Sequence, residues 1–185
     1  MSEEINWDVI VIGGGPAGST TARYLAEGGA DVLVVDGRNP IGTPLQCGEL
    51  VPTNEEMKRL CPKVPDIDDL LRTPEYAISR KTSEMHLVPP SGKPLRYQFE
   101  GYMLNRVAHD EALVDLAKSK GAKYLVNSRV DSIDGNTIKL RDGRELNAKI
   151  IVGAGGHNDP LRRTFWNESS HSKRSFLAVS YTHLR

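Results

Sequence analysis

Two short runs of consecutive apolar residues, 9–12 and 32–35, read as strands buried on both faces. Between them, residues 16–27 carry helical spacing. Gly18 and Ala22 lie four apart on one face, Pro16 sits in the first turn, and Gly28-Gly29 gives the stop. The chain therefore opens as a βαβ unit. A loop rich in proline and glycine follows over 37–44. Thr53, with Glu56 three residues on, predicts a capping box heading a short helix over 53–61, and one further turn is predicted around 67–71.

From residue 76 the period changes to two. Segments 76–80, 84–88 and 94–99 alternate loosely, with Pro89-Pro90-Ser91-Gly92 turning the chain. Helical spacing returns at 106–119, with Val107, Leu113, Leu116 and Ala117 on the predicted buried side. Strands are then predicted at 123–126, 129–133, 137–140 and 146–152. Asp134-Gly135-Asn136 and Asp142-Gly143 join the middle ones as a small meander. The fold class is α/β: a Rossmann-like parallel sheet with a βαβ unit and a small β-meander, plus the beginning of an antiparallel sheet. The expected boundaries are one discontinuous domain over 1–75 and 102–165, and parts of an incomplete second domain over 76–101 and 171–185. A strand-like run at 176–181 falls in the last piece.

The first strand ends in Gly13-Gly14-Gly15-Pro16-Ala17-Gly18, which sets glycines at the G-x-G-x-x-G spacing. Gly13 is expected to make the tight turn, Gly15 to bare the backbone for a pyrophosphate, and Gly18 to let the helix pack close to the strand. The helix N-terminus would aim unpaired N–H groups and its positive dipole end at the phosphates. Asp36 ends the second strand, about twenty residues past the glycines, where a carboxylate can take ribose hydroxyls. A βαβ unit with a merely solvated acid is the bland alternative, and the joint register of glycines, helix, strand and acid weighs against it.

Composition removes several function classes. The 185 residues hold 24 Lys and Arg against 24 Asp and Glu, and the basic residues do not cluster, so no nucleic-acid surface is expected. No apolar run approaches spanning length, and the acidic start MSEEINWD is not a signal or transit peptide. Cys47 and Cys61 form neither a disulfide framework nor a zinc spacing, which favours a reducing, cytoplasmic setting; Cys61 reads as a core residue. The five histidines are scattered, and no metal site is expected.

Taken together, GGGPAG with Asp36, Cys47-Gly48-Glu49, the helix start Leu104-Asn105-Arg106 and the late VGAGG (residues 152–156) resemble the geranylgeranyl reductase family. These are FAD-dependent enzymes of the wider group that includes aromatic hydroxylases. The most specific piece is PIGTPLQCGELVP over 40–52, because P-x-x-CGE is much rarer than a glycine triplet. The likeness covers about 9–156. Family members run to roughly twice this length, so the chain is expected to be an N-terminal fragment, inactive by itself. The closing VSYTHLR resembles a translated sequencing adapter, which implies a broken reading frame.

The resemblance implies roles as well. Ala17 and Asp36 would hold the AMP half of FAD, by backbone contact and by ribose hydrogen bonding. Cys47, Gly48 and Leu50 would lie along the ribityl chain and isoalloxazine, with Cys47 facing the reacting part. Arg106 would reach the cofactor from its helix start, and Val130 would offer its backbone to the adenine. The implied reaction is hydride delivery to C=C bonds of geranylgeranyl or other prenyl chains, as on archaeal-type ether lipids. An electron donor such as NAD(P)H or ferredoxin and peripheral contact with a membrane surface go with it.

One departure stands out. The related flavin hydroxylase pattern is strand-Gly-Ala-Asp-Gly, and Gly155 occupies the Asp place here. The rival readings are a flavin monooxygenase on the same fold, a nicotinamide-only dehydrogenase, and a catalytically incompetent FAD-binding fragment.

Overall fold

The computed structural model describes residues 7–44, 47–70 and 72–166. In chain order the first elements are β1 (Trp7–Ile12), α1 (Pro16–Glu27), β2 (Val32–Val35), β3 (Leu50–Pro52), α2 (Asn54–Leu60) and α3 (Ile67–Leu70). Then come β4 (Ile78–Leu87), β5 (Leu95–Leu104) and α4 (Arg106–Ser119). The last are β6 (Lys123–Leu125), β7 (Val130–Asp134), β8 (Thr137–Leu140), β9 (Glu145–Gly153) and α5 (Pro160–Trp166). They fall into two compact units: one runs up to residue 45 and resumes at 110, and the other spans 46–109.

The first unit is built on a six-stranded sheet in the order β6-β2-β1-β9-β8-β7. Its first four strands are parallel, while β8 runs antiparallel to both β9 and β7. Side chains alternate across the sheet, so each apolar run feeds two layers. Ile10, Ile12, Leu33 and Val35 pack with Ile133, Ile138, Leu140 and Ala148 on one face. Val9, Val11, Val32 and Val34 pack with Ala22, Ala117 and Ala122 on the other. Because both faces of β1 and β2 are covered, their sequences show no polar alternation. This is the expected α/β class, with a mainly parallel sheet and a separate antiparallel one.

The second unit holds the antiparallel sheet β3-β5-β4. The segments predicted at 76–80 and 84–88 are one ten-residue strand, β4. Register irregularities at Ile78/Arg80 and Thr82/Glu84 interrupt its pairing with β5, which is why the alternation breaks in sequence. The capping box is half formed: Thr53 Oγ1 accepts the Glu56 N–H at 3.2 Å, but the Thr53 N–H donates to the Glu100 carbonyl and the Glu56 carboxylate pairs with Arg59. Cys61 is a correction. It is half-buried at the end of α2, a helix that buries none of its residues, and so does not belong to a core. On α4 the buried positions are Asp110, Leu113, Val114 and Ala117; Val107 and Leu116, predicted on that side, are half-buried. The run at 176–181, the domain piece at 171–185 and the closing VSYTHLR lie outside the described residues.

Candidate functional site: the β1–α1 corner and the end of β2

At the corner after β1 the three glycines do three different jobs. Gly13 has φ +103, and a Cβ there would stand 2.4 Å from the Ala154 carbonyl oxygen. A Cβ on Gly18 would stand 1.8 Å from the Gly13 carbonyl oxygen, so the first turn of α1 folds tightly onto the turn that precedes it. Gly15 is the N-cap of α1 and offers no side-chain cap, and the first helical turn carries no acid. A Cβ on Gly15 would meet nothing within 4 Å, which leaves open space at the positive end of a twelve-residue helix. Ala17, in that first turn, is exposed.

Asp36 faces this corner from the end of β2 and is 5% exposed. Its Oδ2 accepts the Gly14 N–H at 2.7 Å. Its Oδ1 accepts the Arg38 backbone N–H at 2.8 Å and Arg38 Nε at 3.3 Å. A carboxylate has about four acceptor positions, so three bonds leave room for a hydroxyl. The sequence pattern marks Asp36 as a ribose ligand and carries no sign of its bond to the glycine turn. Behind the turn, Ser19 Oγ donates to the Gly14 carbonyl at 2.7 Å, and the Tyr124 hydroxyl donates to Ser19 Oγ at 3.0 Å. Burial pushes the Tyr124 phenol up to about 12. Val130 begins β7 and is half-buried. The loop before it is tied to the same strand end, for the Asp36 carbonyl accepts the Ser128 N–H at 2.9 Å.

The glycines after β9 have another reason to exist. Asp159 is buried; its Oδ2 accepts the Gly155 N–H at 2.6 Å and its Oδ1 accepts the Arg162 N–H at 2.9 Å. A Cβ on Gly153 would lie 2.7 Å from Asp159 Oδ1, and one on Gly155 would lie 3.0 Å from Oδ2. Gly155 leaves the expected Asp place without a side chain, yet a carboxylate four residues later reaches its backbone. Sequence reasoning missed Asp159. The signal was present as Asp-Pro at a helix start, an N-cap residue followed by proline at the first helical position.

The remaining predicted residues belong to the second unit. Cys47 is exposed, and its Sγ accepts the Glu49 N–H at 3.4 Å. Gly48 is exposed, and Leu50 sits opposite Met103 in the β3–β5 pair. The Glu49 carbonyl accepts the Leu104 N–H at 2.9 Å, which lays the Cys-Gly-Glu segment beside the Leu-Asn-Arg segment. Asn105 caps α4 by accepting the Ala108 N–H at 3.2 Å, and Arg106 is the first helical residue, half-buried. Thus Gly13, Gly15, Ala17, Gly18, Asp36 and Val130 share one unit, and Cys47, Gly48, Leu50 and Arg106 the other.

An uncapped helix N-terminus, free of acids and open at its bare glycine, fits a diphosphate; a buried carboxylate with a spare acceptor one strand over fits ribose. Comparison with known proteins bears on which cofactor this is. Residues 8–44 match the model of the FAD dependent oxidoreductase family. A Methanosarcina barkeri protein of the nifH2 5′ region is 33% identical over 167 residues, covering 89% of this chain and 90% of that protein. The digeranylgeranylglycerophospholipid reductase of Picrophilus torridus is 33% identical over 86% of this chain and 42% of its own length. The Methanosarcina acetivorans reductase of the same name is 34% identical over 85% and 39%. The chain thus spans about two fifths of the reductases that it matches. Among solved structures, a geranylgeranyl bacteriochlorophyll reductase-like protein of Thermoplasma acidophilum superposes with TM-score 0.66 at 30% identity, over 78% of this chain and 38% of that one. The halogenase PltM in complex with phloroglucinol and FAD, at 22% identity and TM-score 0.64, shares the fold. On the βαβ corner, the FAD dependent oxidoreductase match and this run of relatives, the chain belongs to the geranylgeranyl reductase family of FAD-dependent flavoproteins.

Proposed function

We propose that this chain supplies the FAD-holding part of a reductase that saturates C=C bonds in geranylgeranyl or related prenyl chains. The observation that carries the cofactor half is the open N-terminus of α1, bare at Gly15 and faced by the buried carboxylate of Asp36. The substrate half is supported by the names and identities of the reductases above. When bound, FAD supplies the hydride for the reduction.

The chain's own residues bind and orient. Backbone N–H groups at the head of α1 take the diphosphate, and Asp36 takes a ribose hydroxyl while its other bonds keep the glycine turn in shape. Val130 contributes backbone to the adenine side. Cys47, Gly48, Leu50 and Arg106 line the flavin side, with the Cys47 thiol toward the reacting end. The electron donor, NAD(P)H or ferredoxin, and contact with a membrane surface belong to the same proposal; among the described residues no helix is long and apolar enough to cross a membrane.

The test is a titration of the purified chain with FAD, read by quenching of flavin fluorescence. Near-stoichiometric uptake that Asp36→Ala removes supports the cofactor reading, and a folded chain that ignores FAD sinks it. For the substrate, the chain joined to the remainder of a family member should saturate a prenylated ether lipid anaerobically. Oxygen-dependent hydroxylation instead would turn the reading into a monooxygenase.

A further inference from the structure

We propose that Arg129 is a specificity-determining residue for the adenosine end of the dinucleotide site, its guanidinium covering the base. The inference rests on Asp36 as the ribose ligand. Gly37 follows that carboxylate directly, and a Cβ there would stand 2.5 Å from Arg129 Cγ, 3.0 Å from Nε and 3.3 Å from Cδ. The stem of Arg129 therefore crosses the strand end at the one residue that has no side chain to block it. The backbone around Arg129 is fixed to the same place. Asp36 donates its N–H to the Leu125 carbonyl at 3.0 Å, Ser128 donates to the Asp36 carbonyl at 2.9 Å, and Arg141 donates to the Arg129 carbonyl at 2.9 Å.

Two nearby arginines are already engaged. Arg38 is paired with Asp36, and Arg144 with Asp142 and Ser128. The Arg129 guanidinium has no hydrogen bond or ion pair among the described residues. A held stem with an unspent, planar, weakly hydrated head suits the face of an aromatic base. Adenine attached to a ribose on Asp36 is the base within reach of this strand end.

The test compares ligands with and without adenosine on the same chain. FAD and ADP carry it; FMN keeps the isoalloxazine and one phosphate but lacks it. Arg129→Ala should weaken FAD and ADP by roughly tenfold, the size of one good cation–π contact, and leave FMN unchanged. Arg129→Lys should recover little of that, because an ammonium has no flat face. Gly37→Ala, which pushes the stem aside, should reproduce the loss. Thermal midpoints of the variants serve as the folding control. The proposal is overturned if Arg129→Ala binds FAD within twofold of the parent, if FMN falls by the same factor, or if Lys restores full affinity. A folded parent that takes up neither FAD nor ADP overturns the ribose reading and this assignment together; a parent that binds FAD beside an unaffected Arg129→Ala variant overturns the assignment alone.

Discussion

Two strands of the parallel sheet, β1 and β9, run side by side and both end in glycines, yet the two turns use their glycines for opposite purposes. After β1, the space beside Gly15 is left open. After β9, the space beside Gly153 and Gly155 is filled by the molecule's own Asp159 carboxylate. The turns also lean on one another, since a Cβ on Gly13 would strike the Ala154 carbonyl and one on Gly18 would lie 3.3 Å from Ala154 Cβ. A glycine-rich strand end is thus not by itself a ligand site. What distinguishes the site is which atoms stand where the side chain would be.

The harshest way to break the comparison is Gly18→Ala. Its Cβ would overlap the Gly13 carbonyl at 1.8 Å, backbone against backbone, and no rotamer can relieve that. The expected cost is about 3 kcal/mol or more, enough to lose much of the folded protein, as thermal denaturation followed by circular dichroism would show. Next comes Asp36→Ala, which removes the acceptor of the Gly14 and Arg38 N–H groups. It should cost about 1–3 kcal/mol of stability and abolish detectable FAD uptake, since turn and ribose are lost together. Retained FAD affinity in a folded Asp36→Ala chain would contradict the account of the first turn.

For the second turn the sharper experiment is a double-mutant cycle. Gly153→Ala in the parent meets Asp159 Oδ1 at 2.7 Å and should destabilise by roughly 1–3 kcal/mol. In an Asp159→Ala background the same change should cost well under 1 kcal/mol, because the obstructing carboxylate has gone. Additive effects would mean that Gly153 is there for some other reason.

Much of this corner was legible in the sequence because its determinants are local. The apolar runs, Pro16 in the first helical turn and the spacing from Gly13 to Asp36 lie within one βαβ unit, and the structure reproduces helix 16–27 with the bounds that its stop signals predict. The Ala154 contacts were not legible because they join residues more than a hundred positions apart to the first turn, whereas Asp159 binds only its own neighbours, and its polarity sets it outside any apolar pattern. Pattern reading weighs neighbours along the chain, not across a sheet. In the second unit the loss came from irregular pairing: shifts within β4 scramble the period of two, so one strand read as two. The buried Asp110 on α4 was hidden by its polarity, since periodicity assigns buried faces from apolar residues.

Tyr124 offers a gentler probe of the first turn through Ser19. Tyr124→Phe removes one partly buried hydrogen bond and should cost about 1 kcal/mol. It should also change the alkaline limb of stability. Burial raises the phenol from its ordinary value near 10 to about 12, so the unfolded chain loses this proton first. The contribution is whole below pH 10 and disappears as pH rises through 12. Chemical denaturation at a series of alkaline pH values should therefore show a steeper fall for the parent than for the Phe variant. Parallel curves would mean that the phenol is not desolvated by the fold.

The smallest change in stability should come from Gly15→Ala, and it separates the two kinds of glycine most cleanly. Gly15 has φ −66 and ψ −174, a conformation alanine adopts freely, and its Cβ would touch nothing within 4 Å. If Gly15 were glycine for reasons of folding, alanine would destabilise the chain. Instead stability should stay within about 1 kcal/mol of the parent, because alanine's fewer unfolded conformations offset its poorer standing at an N-cap. FAD affinity should nevertheless fall at least tenfold, since the methyl group occupies the room at the helix N-terminus where a diphosphate must approach the backbone. A stable chain that binds poorly would show that this glycine serves the ligand, whereas Gly153 serves Asp159. A Gly15→Ala chain that binds FAD as well as the parent would make the two turns alike, and the distinction drawn between them would fail.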